Sequence, residues 1–161
     1  MIVADAGPLI AFARIGRLGI LPEVLGAVLV PTPVVQECLR DRSRPDARVL
    51  SRAQEEGVLV RRPFRKSAFY EALLRDLGPG EAAIALARSL DQPVLLDERR
   101  ARRVAGRFGI AVVGSGGVLV KAKGLRLLSR VGPVLDELRG SGYRLSDALV
   151  TEILRRCGET P

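Results

Sequence analysis

Asp5 closes a short apolar run, Ile2-Val-Ala4, and Asp97 closes another, Val94-Leu-Leu96, in a chain that has no histidine. Without imidazole there is no His-based triad, no His-containing zinc site and no histidine general base. Any reaction has to be run by carboxylates, hydroxyls, Arg or Lys. Glu37 and Glu81 are the acids best placed to join the two aspartates. The first falls in the second turn of the helix expected after the second strand, the second in the first turn of the helix expected before the fourth. In an open parallel sheet, ligands bind beyond the carboxyl ends of the strands where strand order reverses, and all four acids can face that edge. Such convergence is costly, because two carboxylates about 5 Å apart repel by roughly 3 kcal/mol at an effective dielectric of about 20. A bound Mg²⁺ or Mn²⁺ cancels the repulsion, suits all-oxygen ligation and can promote displacement at a phosphodiester. Taken singly, most of these acids have an ordinary reading: Asp97 as the N-cap of the next helix, Glu81 as a partner of its helix dipole, Glu37 as a pair for Arg40. Asp5 resists one, since it sits two residues before Gly7-Pro8, ahead of a helix expected to begin at Pro8.

The elements that must position these acids are legible as an alternation. Apolar runs at Ile2 to Ala4, Ala27 to Val30, Val94 to Leu96 and Ala111 to Val113, with a weaker one at Val58 to Val60, are separated by helical patterns. That order implies βαβ units around a parallel sheet. Thr32-Pro33 reads as an N-cap followed by Pro at the first helical position, and Gly78-Pro79-Gly80 precedes the helix that starts at Glu81. Ala101, Val104, Ala105 and Phe108 recur at helical spacing and leave Arg99, Arg100, Arg102, Arg103 and Arg107 outside. After a Ser146 cap, Leu149, Val150, Ile153, Leu154 and Cys157 form one stripe of a C-terminal helix over about 146–157 that docks on the rest. Asp41 to Pro45 and Arg61 to Lys66 read as charged loops.

At 161 residues the chain is long enough for one well-buried core and short for two, so a single domain over 1–161 is expected. The net charge is +8, and only Lys66, Lys121 and Lys123 among the 26 cations are lysines, leaving Arg, the better bidentate phosphate donor. Nucleic acid is the leading partner. With no Trp and 4% aromatics, a base-stacking reader is disfavoured. No segment has the flanks of a signal peptide or the length of a membrane span, and Cys38 and Cys157 lack CxxC spacing, so a reduced, cytoplasmic protein without membrane association is expected.

The blocks VADAGPLIAFARIGRLGIL, VLVPTPVVQECL, LGPGEAAIALA, VLLDERRARRVA and AVVGSGGVLVKAKG, taken in order, resemble those of a PIN-domain protein, in particular the short prokaryotic PIN proteins related to VapC-type toxins. The resemblance is strongest over residues 2–125. It implies a three-layer α/β/α fold with a central parallel sheet of four to five strands, and a metal-dependent endoribonuclease that hydrolyses single-stranded RNA with Mg²⁺ or Mn²⁺. It further implies a homodimer and the toxin role of a toxin–antitoxin pair. By motif, its acids fall on Asp5, Glu37 in VVQEC, Glu81 in GPGEA and Asp97 in LLDE. Asp5 and Asp97 would hold the principal ion, Glu81 would complete the coordination, and Glu37 would position water or a second ion. Where many PIN domains carry a hydroxyl residue after the first acid, this chain has Ala6 and Gly7; Ser115 is the substitute on offer, and Glu98 a secondary ligand beside Asp97. Arg99, Arg102, Arg103, Lys121 and Lys123 are the expected RNA contacts. Two alternatives stand beside this reading: a catalytically silent PIN-like module that only binds RNA or protein, and a nucleotide-binding α/β domain resting on Gly114-Ser-Gly-Gly117, which completes neither GxGxxG nor GxxxxGK[ST].

Overall fold

The computed structural model describes residues 1–77 and 81–160. Gly78, Pro79 and Gly80, expected ahead of the helix at Glu81, lie outside the described residues. Five short strands, β1 (Ile2–Ala4), β2 (Val28–Pro31), β3 (Leu59–Arg62), β4 (Val94–Leu95) and β5 (Val112–Val113), form one all-parallel sheet in the order β3-β2-β1-β4-β5. Helices flank the sheet in a three-layer α/β/α arrangement. In chain order they are α1 (Ala6–Arg14), α2 (Ile20–Leu25), α3 (Thr32–Cys38), α4 (Pro45–Glu55), α5 (Ala68–Leu77), α6 (Glu81–Leu90), α7 (Arg99–Arg107), α8 (Ser115–Gly124), α9 (Gly132–Gly140) and α10 (Asp147–Arg156).

The inner strands are apolar throughout because both their faces are covered, and every residue of β1, β2 and β4 is buried. At the sheet edge, β3 ends on exposed Arg61 and Arg62, whose charges discourage pairing with another strand. The stretch expected as a loop from Arg61 therefore begins as strand: cross-strand pairing with Val30 and Pro31 outweighs the polarity of the two arginines.

Helix α6 is buried from Glu81 to Ala87, seven residues in succession, and packs against β1, β2 and β4. The run Ala82 to Ala87 is apolar on every side, as suits a segment inside a core, and its alanines let its backbone approach the sheet closely. The first residue of that helix is drawn inward with it, which is how a glutamate comes to be only 1% exposed.

Two expected starts shift. Pro31, not Thr32, occupies the N-cap of α3, and the Thr32 hydroxyl instead donates across to the Arg62 carbonyl at 3.2 Å. Helix α1 begins at Ala6 rather than Pro8, so Asp5 does stand at an N-cap position, yet its side chain makes no capping hydrogen bond. The C-terminal helix docks as its pattern suggests. Ser146 Oγ accepts from the Leu149 backbone N–H, Ile153 and Leu154 are buried, and α10 packs on α8. Gly116 permits this approach, for a Cβ there would lie 2.7 Å from Ile153 Cδ1. Beyond α10, Glu159 accepts from the backbone N–H groups of Val131 (2.7 Å) and Gly132 (2.9 Å) and pairs with Lys123 at 2.9 Å, locking the chain end to the start of α9. Cys38 and Cys157 are free thiols. Among the described residues no helix is long and apolar enough to cross a membrane.

Candidate active site

The connections from β1 through β2 to β3 run to one side of the sheet, and β4 and β5 lie on the other, so strand order reverses between β1 and β4. The pairing there is in register, Ala4 opposite Leu95, and the Asp5 backbone N–H donates to the Leu95 carbonyl at 3.0 Å. Asp5 and Asp97 thus leave neighbouring strands at the carboxyl edge, the place where this architecture opens a crevice.

Asp5 is largely buried and its Oδ1 has no hydrogen-bond partner; the same is true of Oε1 of Glu81. An unpartnered, buried carboxylate oxygen is among the costliest groups a fold can carry. Burial above all raises the Asp5 pKa from 3.8 to about 7, against the downward pull of the Ala6 backbone N–H, with the negative charges of Glu37, Asp97 and Glu81 adding to the rise. Burial likewise raises Glu81, and Glu37, half-buried on α3, raises it further. All four expected acids therefore share one electrostatic neighbourhood.

Asp97 is treated differently. Its Oδ1 accepts from the Ser115 backbone N–H at 2.7 Å, and its Oδ2 accepts from the Ser115 hydroxyl at 2.6 Å and from the Tyr143 hydroxyl. Asp97 is not the N-cap of α7. That place belongs to Glu98, whose Oε1 accepts from Arg100 N at 2.9 Å and Oε2 from Ala101 N at 2.6 Å, bonds that draw its pKa down. Asp97 serves instead the first turn of α8, reached from across the β4–β5 connection. Gly114 makes this possible, because a Cβ there would come within 3.2 Å of Asp97 Oδ1 and 2.5 Å of the Arg102 guanidinium. Glu98 and Ser115, expected as secondary ligands, thus have their polar atoms committed, Glu98 to a helix end and Ser115 to Asp97.

Tyr143, in the connection between α9 and α10, has no counterpart in the sequence reading. It is held over Asp97 from 46 residues away, and the only local hint is an aromatic residue in an otherwise polar turn, Ser141-Gly-Tyr-Arg144, just before the Ser146 cap. Burial and the Asp97 charge both push its phenol pKa upward, so it remains a donor.

A cleft of about 540 Å³ opens over this edge, with Asp5, Arg14, Asp97, Glu98, Tyr143 and Arg144 among its walls. Glu37 and Glu81 are not part of that wall, and among the described residues no three acidic or cysteine side chains group closely enough to enclose an ion. Of the expected RNA contacts, Arg102 turns toward Gly114 and Asp97. Arg99 and Arg103 lie on the exposed side of α7. Lys121 is exposed on α8, whereas Lys123 is committed to Glu159 and the Ser129 carbonyl.

No curated protein and no solved structure matches the chain. A family model described as DUF3368, PIN domain, does match, over residues 1–159. A match running from the first strand to the Glu159 lock speaks for the whole fold rather than one motif, and by it the chain belongs to the PIN-domain family.

Proposed function

We propose that this protein is a Mg²⁺- or Mn²⁺-dependent endoribonuclease acting on single-stranded RNA. PIN domains are generally nucleases and typically use divalent metals. The observation that carries the reading for this chain is the pair of buried, unpartnered carboxylate oxygens, Asp5 Oδ1 and Glu81 Oε1, at the reversal of strand order. The donor set fits a hard cation, since every candidate ligand is a carboxylate oxygen and no imidazole or paired thiolate competes.

Asp5 and Asp97 would hold the ion with Glu81 completing the set, and Glu37 would orient water. When bound, the ion activates water and stabilises the charge that develops on the phosphate. The protein's own part is to hold these groups ready. Ser115 and Tyr143 fix the Asp97 rotamer, the sheet fixes the Asp5 backbone, and Arg144 on the cleft wall offers its guanidinium to a phosphodiester, while Arg14 beside it is paired with Asp46 at 3.7 Å. A homodimer, an antitoxin partner and a cytoplasmic location belong to the same reading.

The test is cleavage of a labelled single-stranded RNA by purified protein with Mn²⁺, Mg²⁺ or EDTA. Metal-dependent cleavage is expected, falling on the order of 10³-fold in Asp5→Asn and in Glu81→Gln, the several kcal/mol that metal catalysis supplies. Cleavage that survives chelation, or is undiminished in both variants, overturns the reading.

A further inference from the structure

Beyond Asp97 from the first cleft lies a second, of about 490 Å³, between α7, the start of α8 and the docked α10. Its walls include Val112, Val113, Leu149 and Ile153, and four cations stand around them: Arg102, Lys121, Arg144 and Arg156. None of the four has a carboxylate within ion-pair distance among the described residues, although seven other cations of the chain do. The two acids on the same wall are already engaged, Asp97 by Ser115 and Tyr143, Glu152 by Arg155 at 2.9 Å. Leu149 remains 44% exposed here, an apolar surface that the docked helix leaves uncovered.

Four unneutralised cations around one concavity repel one another, and an apolar floor beneath them stays wet unless something covers it. One kind of ligand answers both features: an anion joined to a flat, weakly polar ring. The volume lies within the roughly 300–1,000 Å³ typical of small-ligand sites. Asp97, Tyr143 and Arg144 line both clefts, so the second opens directly beside the candidate catalytic edge. We propose that this second cleft binds one nucleotide of single-stranded RNA next to the scissile phosphate, its cations taking the backbone phosphate and its Leu149–Ile153 floor taking the base. The proposal rests on the nuclease reading for its choice of RNA. It also moves the main phosphate contacts away from the outer face of α7, toward Arg102 and the C-terminal helix.

The experiment measures binding of a fluorescein-labelled single-stranded RNA octamer to the full chain in the Asp5→Asn background, across a salt series. Arg156→Ala and Lys121→Ala alter exposed positions that carry no ion pair. Each is expected to weaken binding about tenfold and to flatten the log-log salt slope by about 0.7. Arg75→Ala, an equal loss of charge on α5, should leave both unchanged. Leu149→Glu should weaken RNA binding while the charge-only ligand polyphosphate loses less. Parent-like RNA binding by Arg156→Ala and Lys121→Ala overturns the subsite even if the enzyme cuts RNA. Equal losses for RNA and polyphosphate in Leu149→Glu overturn the base contact. Binding that falls in these variants, in a protein that cleaves nothing with any divalent metal, upholds the subsite and sinks the nuclease reading.

Discussion

Glu159 and Asp5 are both largely withdrawn from water, and the fold surrounds them in opposite ways. Around Glu159 stand two backbone N–H groups and the Lys123 ammonium; burial pushes its pKa up, but these donors outweigh it and bring the value down to about 2. Around Asp5 stand three other acids and no donor for Oδ1, and its pKa rises to about 7. The first arrangement closes the chain end against α9. The second stores repulsion at the one edge where the sheet opens a crevice, and a structure gains nothing from it unless a cation arrives. Asp97 lies between these extremes, fully hydrogen-bonded yet facing the same cleft, as suits a carboxylate whose position must be fixed before a ligand binds.

The contrast is broken most sharply by pH. Below about pH 3.8 the Asp5 contribution to stability is complete, because folded and unfolded chains both hold the proton there. It is lost as pH rises through about 7, since the folded chain keeps a proton that the unfolded one has released. The ceiling is of the order of 4 kcal/mol. Glu159 runs the other way: its contribution is complete above pH 4.5 and is lost as pH falls toward about 2. Chemical denaturation of metal-free protein should therefore show stability falling from about pH 4.5 to about pH 7 and levelling off above that. Asp5→Asn should flatten this limb, and Glu159→Gln should leave it intact. A flat parent profile, unchanged by Asp5→Asn, would show that Asp5 carries no stored repulsion.

A smaller effect separates the two carboxylates at neutral pH. Glu159→Gln removes charge-assisted hydrogen bonds worth about 2 kcal/mol and should lower Tm by about 4–8 °C while each folded molecule cuts RNA normally. Asp5→Asn should raise Tm while abolishing cleavage. Coincident loss of both properties in Asp5→Asn would mean that Asp5 is architectural after all.

The smallest expected effect concerns Tyr143→Phe, which keeps the ring that lines both clefts and removes the donor to Asp97. One charge-assisted hydrogen bond corresponds to about a tenfold loss in rate. The loss should appear in kcat and in metal affinity, with RNA binding preserved. A change in KM alone would assign Tyr143 to the RNA and not to Asp97.

Much of this fold is written locally. The apolar runs that became β1, β2 and β4 were placeable within a residue or two because inner parallel strands are apolar on both faces, and the run at β5 was placeable although that strand lies at the sheet edge. Ser146 announced its helix, and Asp5 declared itself by ending a strand, although it stands at the N-cap position of α1 after all, with no side-chain capping bond. What local pattern cannot settle is which of two adjacent acids caps a helix. Asp97 and Glu98 both qualify, and the choice is made by Ser115 and Tyr143, which the sheet and the C-terminal segment bring from 18 and 46 residues away. For the same reason Lys123 reads as a surface cation until Glu159, 36 residues on, is seen to hold it. The burial of Glu81 is likewise a tertiary fact, set by the enclosure of the first seven residues of α6.

On the proposed reading, the unpartnered oxygens of Asp5 and Glu81 form part of a site for a divalent cation. Isothermal titration of the metal-free protein with Mn²⁺ at about pH 7, repeated in two buffers of different ionisation enthalpy, tests it most directly. Saturable binding accompanied by proton release is expected, because the folded Asp5 still holds protons near its pKa of about 7. Binding should vanish in Asp5→Asn and persist in Glu159→Gln. Parent protein that takes up no Mn²⁺, or Asp5→Asn protein that binds it as tightly as the parent, would show that these oxygens hold no cation.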